Sequence, residues 1–382
     1  MAKNVFMISG EESGDVHGAA LITALKTLDP DMRFSGMGGV RMRQAGLQGI
    51  DSREVSVVGI TEVIGRLPGI LKALKALKKR LKEEHFDAVV LIDFPDFNLR
   101  IAREAKSLKI PVIYYISPQV WAWRRGRLKK IAGLVDKMLV VFPFEEALYR
   151  DAGVDVEYVG HPLAETARCG LTKEEARARL DIPASSPVVA LLPGSRPSEV
   201  KRLLGPMLAG AAIIDKGLGK RPVFLLQAAS NIEDGFLNSI TGGSGVGLRI
   251  VRGGMYESLR ASDAVIVTSG TATLETALIG TPMVIVYKVS AVSYRIAKAL
   301  IGVKYIGLPN IVAGKGIVPE LIQDEATPEN IAGKVLEILN NGKTVDEMRD
   351  AFSRIKKLLF KKGASTRAAE AIIDVMGRPK AA

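Results

Sequence analysis

The sequence predicts an α/β protein made of two Rossmann-like, doubly wound domains facing a cleft. Three observations carry this reading. Short β-branched runs alternate with amphipathic stretches from end to end, the pattern of parallel strands covered by helices on both faces. The pattern restarts after Ala184-Ser185-Ser186-Pro187. The chain has 382 residues, too many for one ordinary core, and 47% of them are hydrophobic, which argues against disorder.

The elements follow in order. In the first half, apolar runs predict strands over 5–9, 88–92, 112–116 and 138–142, with helices starting near Gly14, Phe97, Gly126 and Phe144. Asp29-Pro30-Asp31 follows the first helix and reads as a turn. Strands over 188–192, 223–227, 264–268 and 283–287 make the second sheet. Helical spacing over 346–360 and 366–376 gives terminal helices that can fold back on the first domain. The expected divisions are therefore 1–183, 184–345 and 346–382.

Composition narrows the partners. A net charge of +12 calls for something anionic: nucleic acid, an acidic membrane surface or a phosphorylated ligand. Only 5% of residues are aromatic, few for stacking on bases, so nucleic acid is not expected. The single cysteine, Cys169, excludes an internal disulfide framework, and no cysteine or histidine spacing suits a metal, so none is expected. The amino-terminal apolar run is too short for a signal sequence, and no run reaches the roughly 18 residues of a membrane span. A cytoplasmic protein is expected, with self-association left open.

Residues able to do chemistry gather at the carboxyl ends of strands, where doubly wound sheets bind ligands. Gly10-Glu11-Glu12-Ser13-Gly14-Asp15 places carboxylates and a hydroxyl at a helix start. Carboxylates repel phosphate, so Glu11, Ser13 and Asp15 suit sugar hydroxyls or an amide; a plain helix cap by Ser13 or Asp15 is the alternative. Asp93 and Asp96 flank Pro95, which stiffens their turn. A carboxylate held there can take a proton from an attacking hydroxyl, which makes Asp96 the first candidate for general base, while Asp93 also suits an Asx-turn or a cap.

Two further turns suit an anion. In Leu192-Pro193-Gly194-Ser195-Arg196 the permanent charge of Arg196 can fork onto a diphosphate. Ser269-Gly270-Thr271-Ala272-Thr273-Leu274-Glu275 carries an apolar strand into a helix. The N–H groups at Thr271, Ala272 and Thr273 would cradle a phosphate, with Glu275 one turn on, within reach of ribose hydroxyls. A capped helix without ligand fits this segment alone equally well. Gly342-Lys343-Thr344 fails as a P-loop because Glu337 stands where its first glycine belongs. His17 and His161 suit structural hydrogen bonding as well as function.

Two basic, apolar segments bear on membranes. Val57, Ile60, Val63, Ile64 and Leu67 fall at helical spacing, followed by Leu71, Leu74, Leu77 and Leu81 among lysines. A core-packed helix with a solvated basic face explains this about as well as a membrane-surface helix. Trp121 and Trp123 beside Arg124 and Arg125 favour lipid contact.

Taken in sequence order, these pieces resemble the lipid-A-disaccharide synthase family, inverting glycosyltransferases of Gram-negative bacteria, over essentially the full length. The matching motifs are the Gly10 to Asp15 turn, Asp93 with Pro95-Asp96-Phe97-Asn98, Ser117-Pro118-Gln119-Val120-Trp121-Ala122-Trp123-Arg124, Gly160-His161-Pro162, Leu191 to Arg196, Ser269 to Glu275, and Leu308-Pro309-Asn310. The resemblance implies a GT-B arrangement whose carboxyl-terminal domain holds UDP. It also implies a reaction: UDP-2,3-diacylglucosamine and 2,3-diacylglucosamine 1-phosphate (lipid X) give a β(1→6) disaccharide 1-phosphate and UDP at the inner-membrane surface, without a cofactor. Asp96 then matches the family's base, and Arg196, Asn310 and the Thr271 to Glu275 helix match donor-binding positions. Gln119 and Ser195, inside matching motifs, join the substrate-binding set. Glu12 departs from the family pattern, where threonine can stand, so no role is carried onto it. The rivals are another UDP-N-acetylglucosamine transferase or epimerase of the same fold, and a non-enzymatic nucleic-acid or membrane-binding protein.

Overall fold

The computed structural model describes residues 2–52, 60–121, 126–290, 294–295 and 304–378, without the side chains of 60–67 and 127. These residues form two compact units. The first runs to Glu165 and resumes at Leu359; the second runs from Thr166 to Leu358.

The first unit is built from β1 (Asn4–Ser9), α1 (Glu12–Leu28), β2 (Arg33–Gly38), α2 (Val40–Ala45), β3 (Leu47–Asp51), α3 (Ile60–Glu83), β4 (Ala88–Ile92), α4 (Pro95–Ser107), β5 (Val112–Tyr115), α5 (Arg127–Ala132), β6 (Lys137–Val140), α6 (Pro143–Asp151), β7 (Val156–Tyr158) and α7 (Pro162–Thr166). Its seven strands are all parallel, in the order β3-β2-β1-β4-β5-β6-β7. Helices cover both faces, so the central strands must be apolar throughout rather than alternating. That is what they are: Val5 to Ile8 and every residue of β4 are fully buried. β1 and β4 lie side by side with Ser9 paired to Ile92, so both end at one level. This is the point where strand order reverses, and the crevice beyond it is where ligands bind in such sheets.

In α3, Leu74, Leu77 and Leu81 are buried in the core, while Lys72, Lys75, Lys79 and Lys82 are exposed. Lys78 and Lys82 pair with Glu104 of α4 at 2.9 and 3.1 Å. The apolar stripe over 74–81 is thus a core stripe with a solvated basic face. Val57 and the side chains of Ile60, Val63, Ile64 and Leu67 lie outside the described residues, as does Trp123.

The second unit contains α8 (Lys173–Arg179), β8 (Val188–Leu192), α9 (Pro197–Gly217), β9 (Val223–Ala228), α10 (Asp234–Thr241), β10 (Leu248–Arg252), α11 (Met255–Ala261), β11 (Ala264–Thr268), α12 (Thr271–Ile279), β12 (Met283–Tyr287), α13 (Leu308–Ala313), β13 (Glu320–Ile322), α14 (Pro328–Asn340) and α15 (Gly342–Leu359). Its six parallel strands run β10-β9-β8-β11-β12-β13, with the reversal between β8 and β11.

The unit limits depart from the expected divisions for identifiable reasons. Residues 166–183 go with the second unit because Arg177, 9% exposed, donates to Ala261 O, Ala184 O and Asp263 at 3.0, 2.7 and 2.7 Å. Met348 and Phe352 on α15 sit in the second unit's core, so only the chain beyond Leu358 returns to the first. There α16 (Ala364–Gly377) packs along α1. Its start is held by Glu165, which accepts from the N–H groups of Gly363 and Ala364.

Candidate active site

In each unit most of the candidate residues occupy the turns that follow the two strands at the reversal point, Gln119 and Asn310 being the exceptions. In the first unit these are the turns after β1 and β4. The β4 turn is strained: Asp93 and Phe94 both have φ of 47°, a left-handed conformation costing a non-glycine residue roughly 1 kcal/mol or more. Asn98, fully buried, holds it. Its amide donates to Ile92 O at 3.2 Å and Asp93 O at 2.6 Å, and the Tyr114 hydroxyl donates to the same Asp93 carbonyl. Pro95 then opens α4 at a position where its missing N–H costs nothing, and Asp96, next along, is exposed. Gly10 locks the neighbouring turn to this one. A Cβ there would come within 2.4 Å of the Phe94 ring, so only glycine lets the ring lie against the β1 turn.

Of the β1 turn, Glu11 is exposed and Ser13 half-buried. Asp15 is not turned to a ligand as expected. It is buried, and its two carboxylate oxygens accept from Arg41 N and Met42 N, both at 3.0 Å, capping the start of α2. The signal was a carboxylate near a helix start, but the helix it caps lies 26 residues away in sequence. Gln119, after β5, is exposed. Trp121 is half-buried with its indole N–H on Glu145 at 3.1 Å.

In the second unit, Arg196 precedes α9 with its guanidinium 3.4 Å from Glu199. Burial pushes the Glu199 carboxyl above its usual range, opposed by Arg196. Gly194 has φ of 113°, and a Cβ there would meet Glu199 at 2.4 Å, so the turn needs glycine on both counts. Ser195 is exposed, and its carbonyl accepts from Asn231 at 2.8 Å. After β11, Gly270 and Thr271 are exposed and Ala272 is half-buried at the start of α12, a helix end with unsatisfied N–H groups. Thr273 is buried and its hydroxyl turns back to Gly270 O at 2.7 Å. Glu275 accepts from the Tyr256 hydroxyl at 2.8 Å, and burial holds its carboxyl above the usual range. Tyr256 also lines an open groove of about 460 Å³ with Arg168, Cys169, Arg179, Gly254 and Met255.

Asn310 is not placed for a direct contact as expected. It is 1% exposed, donates to Val318 O and Glu320 at 2.9 and 2.7 Å, and accepts from Ile317 N and Val318 N at 2.8 and 3.0 Å. Every valence of its amide is used to shape the 306–318 loop. Sequence reasoning passed over Tyr256, Glu199 and Glu145, and quoted Asn98 only within its motif, without a role. Glu199 and Glu145 carried a readable signal, an acidic residue two places after a proline that opens a helix. Among the described residues, no group of three or more histidine, cysteine or acidic side chains could hold a metal ion, and no helix is long and apolar enough to cross a membrane.

Comparison with known proteins adds to this geometry. The sequence pattern of the Lipid-A-disaccharide synthetase family matches residues 5–373. A lipid-A-disaccharide synthase of Syntrophus aciditrophicus is 48% identical over 371 residues, covering 96% of each chain. Among solved structures, UDP-GlcNAc 2-epimerase from Neisseria meningitidis, bound to UDP-GlcNAc, aligns with a TM-score of 0.65 at 12% identity, covering 98% of this chain and 100% of that one. MurG from Acinetobacter baumannii aligns with a TM-score of 0.59 at 16% identity, covering 97% and 99%. At such identities the likeness is one of fold, that of the GT-B glycosyltransferases and epimerases.

Proposed function

Because this chain belongs to the lipid-A-disaccharide synthase family, whose members make the lipid A disaccharide, we propose that it transfers 2,3-diacylglucosamine from UDP to the 6-hydroxyl of 2,3-diacylglucosamine 1-phosphate, with inversion and without a metal. The observation that carries the site assignment is the pairing of candidate turns at each sheet's reversal point. Asp96 takes the proton from the acceptor hydroxyl as it attacks the anomeric carbon from the face opposite UDP. Asp93 fixes the turn that carries Asp96, and Glu11, Ser13 and Gln119 bind sugar or acyl-amide groups of the acceptor. As the glycosidic bond breaks, charge grows on the diphosphate. Arg196 and the N–H groups at Thr271 and Ala272 stabilise it, the chemistry a metal would otherwise supply. Glu275, oriented by Tyr256, holds the ribose, and the groove beside Tyr256 receives the base.

The acyl chains stay in the cytoplasmic leaflet of the inner membrane, with the protein bound peripherally. The +12 charge and the exposed lysines of α3 support attraction to an anionic surface. The decisive experiment incubates purified protein with both lipid precursors and follows UDP and disaccharide by mass spectrometry. A second reading, a transferase or epimerase acting on UDP-N-acetylglucosamine, draws on the fold shared with the Neisseria meningitidis epimerase. Efficient use of UDP-N-acetylglucosamine in place of the acylated donor would establish that reading and remove the first.

A further inference from the structure

Glu145, near the start of α6, takes no part in the reaction as assigned, yet it is 1% exposed and its carboxylate gathers donors from separate segments. The Ser117 hydroxyl and the Trp121 indole N–H both donate to Oε1, at 2.8 and 3.1 Å. The Phe142 N–H donates to Oε2 at 3.3 Å. From the same helix, the Tyr149 hydroxyl donates to Ser117 Oγ at 3.1 Å. Trp121 stands edge-on to Phe144 with ring centroids 5.3 Å apart, and Phe144 stacks on Phe142 at 5.5 Å. Capping α6 would need only the Phe142 bond, and at the surface. Burying a carboxylate is costly, and here the burial coincides with bonds to both ends of a five-residue loop whose middle residue, Gln119, is exposed.

We propose that Glu145 is a positioning residue of the transferase, anchoring the loop from Ser117 to Trp121 so that Gln119 is presented to the acceptor sugar. The inference rests on the first unit's being the acceptor side.

The anchor carries its own signature. Burial pushes the Glu145 carboxyl up to about 7, against the pull of Ser117, Trp121 and the backbone N–H groups of Phe142 and Val141. The other titratable groups around it keep their charge near neutrality. Tyr149 is raised by burial and stays neutral. His161, whose ring lies 5.0 Å from that of Phe142, is lowered to about 3 by burial and by His17; His17, on α1, is lowered to about 4 by burial. The docked loop is what buries the Glu145 carboxyl, so it binds the proton more tightly than a released loop, and rising pH through about 7 weakens docking.

The chain has only two tryptophans, Trp121 and Trp123, so a Trp123→Phe background leaves Trp121 as the sole tryptophan emitter. Its emission is expected to change with a midpoint near pH 7, and the change to vanish on adding Glu145→Gln. In steady-state kinetics Glu145→Ala, which removes the acceptor oxygens altogether, raises the acceptor KM about tenfold and leaves the donor KM within about twofold, the loss of roughly one hydrogen-bonded anchor. Ser117→Ala, which keeps the carboxylate, raises the acceptor KM by less and retains the emission change. An unaltered acceptor KM in either variant, or the same Trp121 titration with and without Glu145, overturns the proposal. If Glu145→Ala does not fold, judged by circular dichroism, Ser117→Ala decides alone. A wild-type protein that forms no disaccharide counts against the reaction instead, and the Trp121 titration still decides the anchor.

Discussion

At Asp96 the expected effect of removal is specific. Asp96→Ala, at an exposed position of α4, folds normally and loses at least ~100-fold in turnover, the lower range for a general base; near-normal turnover removes it from that role. Asn98→Ala should act differently, because Asn98 touches only backbone. Losing its two bonds to Ile92 O and Asp93 O costs about 1–3 kcal/mol in chemical denaturation and lets the strained turn relax, lowering kcat while the donor KM is unmoved. A fall in donor affinity instead would contradict this. The contrast explains why the sequence was informative at these turns and silent about their supports. Asp93, Pro95 and Asp96 stand together in the chain, and Gly and Pro beside apolar runs mark turns on sight. Tyr114 and Tyr256 reach their partners from 21 and 19 residues away, and nothing in their own neighbourhood tells a hydroxyl with a task from a core tyrosine. Asp15 and Asn310 mislead for the same reason, since a polar residue in a turn looks alike whether it serves a ligand or the backbone of a distant loop.

Among elements, the strands legible in sequence were those buried on both faces, where nearly every residue is apolar. β2, β3, β7, β10 and β13 escaped notice. β3, β7, β10 and β13 are less buried along their length and all carry polar residues or glycines that break the apolar run, and β7 and β13 have only 3 residues each. β2 is nearly all buried but is half serine and glycine, too little side chain to register as a hydrophobic run. Packing decides also which unit owns α8, and Arg177→Ala tests this. Its loss strands the half-buried Asp263 and two carbonyls, and should destabilise the second unit by about 2–3 kcal/mol, less than for a wholly buried pair because Asp263 is partly solvated and keeps Lys173. Denaturant unfolding followed through hydrogen exchange of β8 and β11 would show it. Unchanged protection there would mean that α8 is not part of that core.

For the molecule as a whole, three buried groups of the first unit pull its stability in opposite directions with pH. Glu145 is raised from 4.5 to about 7, so its contribution is full below about 4.5 and is lost as pH rises through about 7. His17 and His161 are lowered from 6.5 to about 4 and about 3, so theirs is full above 6.5 and is lost as pH falls. Between about pH 5 and 6.5 each group contributes a slope approaching 1.4 kcal/mol per pH unit at most, two against one, and the first unit should therefore gain stability as pH rises. Replacing both histidines by glutamine should reverse the slope, and melting curves across that range would check it; a slope unaltered in the double variant would disprove the argument. The helix that packs this unit against α1 comes after the whole of the second unit in the chain. During synthesis α1 must therefore wait, its apolar face uncovered, while the ribosome translates the whole of the second unit, which can finish folding first. A nascent chain stalled just short of Leu359 would offer one completed body and one open one, so the uncovered side of α1 is what a chaperone would have to shield.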